Sequence, residues 1–402
     1  MADKLGTLFE RFLNEQSLFQ DRGVLYANHL PEEILHREEQ IEQIGKILAP
    51  CLRLQKPSNL FLYGKTGTGK TLTIRHIAKK LEGVAKERDI HLKILYLNCK
   101  LKNVADTEYR IVAQMIKELG RDIPPTGLPT EEVYHIFFDL VDREKQLCIL
   151  ILDEIDEMVK KIGDGFLYTL TRMNAELKQA QVTLVGVSNN LLFADALDSR
   201  VKSSLSEEEM LFPAYNALQI QDILKDRTTK AFRSNVVKEG VIEKCAARSA
   251  KEHGDARRAL ELLRISGEIA EREGSKYVLL SHIDLAEEKL EKDRILDAAL
   301  NQPKQLQAVL LAILLAAREQ KRRLFTGEVY VYYQQLCRQT GMRPLTQRRI
   351  SDILGELDLL GIINAKVISK GRYGRMREIH LNIPDTVRQN LFRALQTEFS
   401  LR

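Results

Sequence analysis

Leu60–Ala78 reads LFLYGKTGTGKTLTIRHIA: an apolar strand, a loop with three glycines that ends in Lys70 and Thr71, then an amphipathic helix. The spacing Gly64-x-x-x-x-Gly69-Lys70-Thr71 is the P-loop pattern, and it sits between a strand and a helix as that pattern requires. Gly64, Gly67 and Gly69 let the backbone wrap closely around phosphate oxygens, and Thr66, Thr68 and Leu72 complete the cradle. The start of the helix adds the positive end of its dipole. Lys70 is expected to reach the β and γ phosphates, and the Thr71 hydroxyl to ligate Mg2+. A glycine turn that binds nothing is the plainer alternative. The expected cofactors are therefore ATP or ADP with Mg2+.

Hydrolysis needs an acidic pair at the end of another buried strand. LCILILDE, residues 147–154, supplies it: a continuous apolar run, as in a central parallel strand, ends in Asp153 and Glu154. Asp153 would hold the magnesium, while Glu154 would position and deprotonate the attacking water. An acidic helix cap is the alternative for this pair. A further strand, QVTLVGVSNN, ends in Ser188, Asn189 and Asn190, where an amide could orient the water. The helical stretch FLYTLTRMNAELKQA lies between these two strands, so strand, helix and strand alternate and the sheet is expected to be parallel.

The chain has 402 residues, enough for two or three domains, and its 44% hydrophobic and 29% charged residues fit a folded soluble protein. Its longest apolar run, Ala308–Ala317, is short of the roughly 20 residues of a membrane helix. The N-terminal MADKLGTLFERFLNEQ mixes acid and base, unlike a secretory signal, so a cytoplasmic location and no membrane partner are expected. Five widely separated cysteines give no disulfide framework or zinc spacing. Net charge is +5, but residues 301–402 carry 17 Lys and Arg against 8 Asp and Glu. The C-terminal third is thus the basic part, suited to a polyanion.

That part ends in a helix-turn-helix pattern. Thr346 is a candidate N-cap, and Ile350, Ile353, Leu354 and Leu357 form one apolar face. Gln347, Arg348, Arg349 and Ser351 then lie at the N-terminal part of the helix, where base edges are read. INAKVIS and MREIHLNI flank KGRYGR, a basic hairpin in which Arg372, Tyr373 and Arg375 could skirt the minor groove. A helical protein-interaction module would share the apolar periodicity without needing that hairpin.

HREEQI (His36–Ile41), the P-loop, LDEID (Leu152–Asp156), SNNLLFADALDSRVKSSL (Ser188–Leu205), HGDARRALELLR (His253–Arg264) and GRYGR (Gly371–Arg375) occur in that order. Together they resemble the archaeal replication-initiator family of AAA+ ATPases, related to the origin recognition complex and its helicase-loading partner. The resemblance implies an α/β P-loop AAA+ domain with a parallel sheet (1–210), a helical lid (211–295) and a C-terminal winged helix (296–402). It implies Asn189 as the sensor-1 residue and Arg257 as the sensor-2 arginine. Arg258, one helical step of about 100° further on, should point elsewhere. It offers Arg200 as an arginine finger acting on a neighbouring subunit, although Ser199 stands where proline is common. It places adenine against Tyr26, Leu30, Pro31 and Arg37, and makes part of 100–143 a helical insertion that contacts DNA. The implied function is an ATP-regulated replication initiator with slow hydrolysis. It would be nucleoid-associated, bind double-stranded origin DNA beside other initiator subunits, and recruit or load an MCM-type replicative helicase. The rival readings are a DNA-translocating motor of the branch-migration type and an ATPase switch acting on transcription.

Overall fold

The apolar run ahead of Asp153 leaves no side for water, and it forms a strand buried along its whole length. The structure, a computed structural model, describes residues 6, 9–10, 16–100, 105–124, 126–205, 207–319, 324–369 and 375–400. The chain packs as two units, 1–283 and 284–402.

The first unit begins with α1 (Glu38–Leu48), β1 (Asn59–Tyr63), α2 (Lys70–Glu87), β2 (Leu92–Asn98), α3 (Glu108–Glu118), α4 (Thr130–Val141) and β3 (Leu147–Asp153). It continues through α5 (Ile155–Ile162), α6 (Gly165–Arg172), β4 (Gln181–Ser188), α7 (Ser199–Leu205) and β5 (Glu207–Leu211). The sheet order is β2-β3-β4-β1-β5, and each neighbouring pair is parallel. Alternate residues face opposite layers. Leu60, Leu62, Ile149 and Ile151 pack with Ile44 of α1 and Ile74 and Ile77 of α2, while Phe61, Leu150 and Leu152 pack with Val112 of α3, Phe137 of α4 and Leu167 of α6.

The pairings Asn98 with Asp153 and Tyr63 with Ser188 bring the carboxyl ends of these strands to one edge, which is where open parallel sheets bind ligands. One detail departs from the sequence reading. The FLYTLTRMNAELKQA stretch is helical only to Arg172, with a 3-10 turn at Met173–Ala175. The helices of the 100–143 segment also bury their apolar faces in the core beneath the sheet: Ile111, Val112, Met115, Ile116 and Val133 are fully enclosed.

A helical part follows in the same unit: α8 (Ala217–Ala231), α9 (Val241–Lys251) and α10 (Ala256–Arg272). Asn216 and Gln219 make a reciprocal capping box at the start of α8. Asp255 caps α10 by accepting from the amides of Arg257 and Arg258. The N-terminal segment packs on these helices, with Phe19 stacked on Phe232 at 4.5 Å over Gly267, where a Cβ would collide with both rings. The unit division falls within α11 (Leu280–Leu300).

In the second unit α12 (Lys304–Glu319), β6 (Leu324–Phe325), α13 (Thr326–Thr340), α14 (Gln347–Leu359), β7 (Ile363–Ser369), β8 (Arg375–Leu381) and α15 (Asp385–Glu398) form a winged helix. Its sheet is antiparallel in the order β6-β8-β7. Thr346 accepts from the Arg349 amide, and Ile350, Ile353, Leu354 and Leu357 are buried.

Candidate functional site

At the sheet edge the P-loop runs from β1 into α2. Lys70 is almost fully buried, and its ammonium donates to the carbonyls of Gly64 (2.6 Å) and Lys65 (2.8 Å) and to Asn189 Oδ1 (3.0 Å). Burial, and then the charge of Arg257, bring its pKa down to about 8. Asn189, at the end of β4, is thereby aimed at the P-loop lysine.

The Thr71 hydroxyl lies 3.1 and 3.0 Å from the two carboxylate oxygens of Asp153. A hydroxyl and a carboxylate meeting beside a phosphate cradle are hard oxygen donors, the set that suits Mg2+ completed by phosphate and water. Tyr96, on the neighbouring strand β2, donates to Asp153 Oδ2 at 2.6 Å. Burial, and then the Asp153 charge, raise its phenol pKa, so it remains a donor. Nothing in LKILYLNC alone singles out Tyr96. The β2–β3 pairing sets it one strand away from the acidic end, and that pairing is the missing signal.

Glu154 takes left-handed backbone angles, φ 56° and ψ 45°, at the start of α5. Its carboxylate pairs with Lys100 at 3.4 Å. Asp156 accepts from the Asn189 amide at 3.4 Å.

The lid closes on the loop through backbone contact. Gly67, at φ +69°, lies so near Asp255 that an added Cβ would stand 1.7 Å from Asp255 Oδ1. The Ala256 amide donates to the Gly67 carbonyl at 3.3 Å, and the Thr66 hydroxyl reaches Asp255 at 3.4 Å. Thr68 is turned inward to the Lys65 carbonyl. This docking sets Arg257 in the wall of a cavity shared with Gly67, Gly69, Thr71 and Leu72. Arg258 turns away to pair with Glu252.

Tyr26, Leu30 and Pro31 form another part of that wall, with Ile223 and Leu260 from the lid. Arg37 does not belong to it. It is 2% exposed and donates to the carbonyls of Thr68 (2.9 Å), His36 (2.8 Å) and Pro213 (2.6 Å), stacked on Tyr215 at 3.8 Å. The expected base contact is instead a strut under the P-loop, because the buried guanidinium is taken up by carbonyls on the loop and on the strand-to-lid connection. Arg200 is exposed and pairs with Asp198 at 3.1 Å.

All five cysteines are buried, and burial raises Cys51, Cys99 and Cys148 to about 12, which keeps them as inert thiols. In the second unit Gln347 and Arg348 are exposed. Arg349 pairs with Glu356 and Asp352 on its own helix, and the Ser351 hydroxyl donates to the Gln347 carbonyl. Arg372 and Tyr373 lie outside the described residues, and Arg375 starts β8.

Comparison with known proteins agrees with this geometry. Family models match in three stretches: "AAA domain" at 53–192, "Cdc6 AAA+ ATPase-type lid domain" at 221–288 and "CDC6, C terminal winged helix domain" at 297–389. An "ORC1-type DNA replication protein" of Pyrococcus abyssi is 48% identical over 393 residues, covering 97% of this chain and 93% of the relative. A Methanosarcina mazei protein described as "ORC1-type DNA replication protein 1" is 48% identical over 386 residues, covering 95% and 92%. The solved structure of the Aeropyrum pernix ORC1 protein in complex with DNA superposes with a TM-score of 0.83 at 39% identity, covering 96% of this chain and 98% of that one. Crystalline Cdc6p from Pyrobaculum aerophilum, at 21% identity and a TM-score of 0.59, shares the fold. With its P-loop, lid and winged helix matched in order over nearly its whole length, the chain belongs to the ORC1/Cdc6-type family of DNA replication initiators.

Proposed function

We propose that this chain is an ATP-regulated initiator that binds origin duplex through the winged helix of 296–402 and helps recruit or load an MCM-type replicative helicase. One observation carries the regulatory part. The N-terminus of the lid helix is seated on the P-loop at Gly67, so the position of Arg257 and the state of the phosphate cradle are mechanically linked. Lys70 and Arg257 would hold the terminal phosphates, and Asn189 would orient the water. Glu154 would take the proton from that water once its carboxylate leaves Lys100. Thr71 and Asp153 would hold Mg2+, which supplies Lewis-acid stabilisation of phosphate charge when bound. With Glu154 paired to a lysine, turnover is slow and the ATP-bound form persists as a signal. Exposed Arg200 would serve a neighbouring initiator subunit.

The DNA part is supported by the capped helix Gln347–Leu359 and by the excess of cations in residues 301–402. Arg348 is the base reader favoured here, since Arg349 is engaged by two acids of its own helix. The test is binding of origin and random duplex by the full chain, loaded with ATP or with ADP. Arg257→Ala is expected to erase the ATP-against-ADP difference. Arg348→Ala is expected to cost about 1–3 kcal/mol on the preferred site and little on random duplex. Equal losses on both duplexes would make Arg348 a phosphate contact. Rapid turnover strongly stimulated by any duplex would favour the translocating motor.

A further inference from the structure

Tyr96 stands two residues before Asn98, the β2 partner of Asp153, so in this parallel pair it shares a sheet face with both. Two residues of strand span about 6.6 Å, a distance that a phenol covers and a smaller polar side chain does not. Its hydroxyl completes the reach by donating to Asp153 Oδ2 at 2.6 Å, the length of an O–H bond to a charged carboxylate. Arg75 of α2 lies over the same ring at 5.4 Å.

Asp153 is almost fully buried, and a carboxylate offers about four acceptor sites. Tyr96 takes one on Oδ2, and the Glu154 amide takes one on Oδ1 at 3.1 Å. Both oxygens are left facing the Thr71 hydroxyl at nearly equal distances. Glu154 is the next residue in the chain, and Thr71 is itself a candidate ligand. Among the described residues, Tyr96 is thus the donor that fixes this carboxylate from a separate strand while standing outside the ligand set. Metal-ligating carboxylates keep their orientation through such outer partners. Orientation matters most for Mg2+, which tolerates little departure from octahedral oxygen geometry, whereas Ca2+ accepts irregular shells.

We propose that Tyr96 is a positioning residue of the metal site, whose hydroxyl holds Asp153 in the orientation that serves Mg2+ beside Thr71. This rests on the Thr71–Asp153 metal reading above. It adds a determinant of cation choice, supplied by β2 rather than by the P-loop or the acidic strand.

Calorimetric titration of the full chain with a non-hydrolysable ATP analogue, in EDTA and across Mg2+ and Ca2+ series, tests it. Tyr96→Phe keeps the ring that Arg75 covers and removes the donor alone. The Mg2+ concentration that gives half the gain in nucleotide affinity should rise about ten- to a hundredfold. The Ca2+ value should rise less, and affinity in EDTA should stay at the wild-type level. Unchanged Mg2+ dependence would overturn the proposal. So would an equal rise for both cations, or a loss of affinity in EDTA, either of which would make Tyr96 a general support for the strand end. Should the phenylalanine variant not fold, Tyr96→His decides: it keeps a polar ring too short to reach Asp153, and should show the same selective loss of Mg2+. Loss of both cations alike, or of neither, sinks the idea. A wild-type chain whose nucleotide affinity gains nothing from Mg2+ would refute the metal site itself, whereas equal gains in wild type and Tyr96→Phe refute the role of Tyr96 alone.

Discussion

Gly67→Ala should undock the lid from the P-loop without unfolding either. The glycine has φ +69°, and an L-residue in that region costs about 1–2 kcal/mol. The new methyl carbon would also stand 1.7 Å from Asp255 Oδ1 and 3.0 Å from Asp255 Cα, so the aspartate must leave its place. Its departure frees the Arg257 and Arg258 amides, which it caps at 2.8 and 3.3 Å. Losing such a cap costs about 0.5–2 kcal/mol. Together the docked state loses about 1.5–4 kcal/mol, or roughly ten- to several-hundred-fold in its equilibrium constant at 1.4 kcal/mol per tenfold. Hydrogen exchange at Ala256, Arg257 and Arg258 reads this directly, since local opening sets their protection. Exchange at those amides should accelerate by that factor, while the core of β3 stays protected. Adding Asp255→Gly removes the colliding carboxylate, so the double variant should recover part of the loss, with a coupling of about 0.5–3 kcal/mol. Unchanged protection in Gly67→Ala, or strict additivity in the pair, would show that the lid does not depend on this contact.

Glu154→Gln should retain ATP and lose hydrolysis, whereas Lys70→Ala should lose ATP affinity; radiolabelled turnover and equilibrium binding separate the two. Because Lys70 has a pKa of about 8 and only its charged form attracts phosphate, ATP affinity should be level below pH 8. It should fall, by up to about tenfold per unit, as pH climbs above that value, as measured by titration in a buffer series. For folding the sign is opposite. Between about 8 and the ordinary 10.5 the unfolded chain holds a proton the folded one has released, so this group alone makes stability rise with pH across that window. Arg37→Met strands three carbonyls, two of them on the P-loop and the lid connection. At about 1–3 kcal/mol for each unsatisfied group, it should lower the melting temperature and loosen nucleotide binding together.

Which residues gather at the sheet edge was readable because it is coded locally. An apolar run with no polar alternation ends in Asp153 and Glu154, and a glycine spacing ends in Lys70 and Thr71. The buried stripe of the Gln347–Leu359 helix was readable by the same token, from three- and four-residue spacing with Thr346 as cap. What escaped is set by contacts between distant segments. β5, EEEML, looks like no strand, since it carries three glutamates. Among the described residues it is an edge strand paired with β1, and edge positions tolerate such charge. The periodicity of α3 and α4 gave helices but not the surface they cover, and their apolar stripes proved to be sheet packing. Arg37 and Tyr96 look like ordinary polar residues until the fold brings Thr68 and Asp153 beside them. Arg372 and Tyr373 lie outside the described residues.

Three of the contacts that tie lid to loop have a property in common: each engages the P-loop at its backbone or at a glycine. Asp255 abuts Gly67, the Tyr215 hydroxyl lies where a Cβ on Gly69 would come within 2.8 Å, and Arg37 bridges the Thr68 and Pro213 carbonyls. A loop held this way has little room to rearrange around phosphate without moving the 213–215 connection and the start of α10. Yet a shared position does not by itself distinguish triphosphate from diphosphate, because a ligand shifts an equilibrium only by its differential contact with the two states. That difference has to come from a group that reaches the third phosphate, and among the lid residues lining the cavity it is Arg257 that faces the Lys70 end. On the function proposed above, the backbone contacts would transmit lid position, and Arg257 would give that position a nucleotide-dependent value. A variant that breaks the tether should leave ATP and ADP alike in their effect on the lid, even with Arg257 intact.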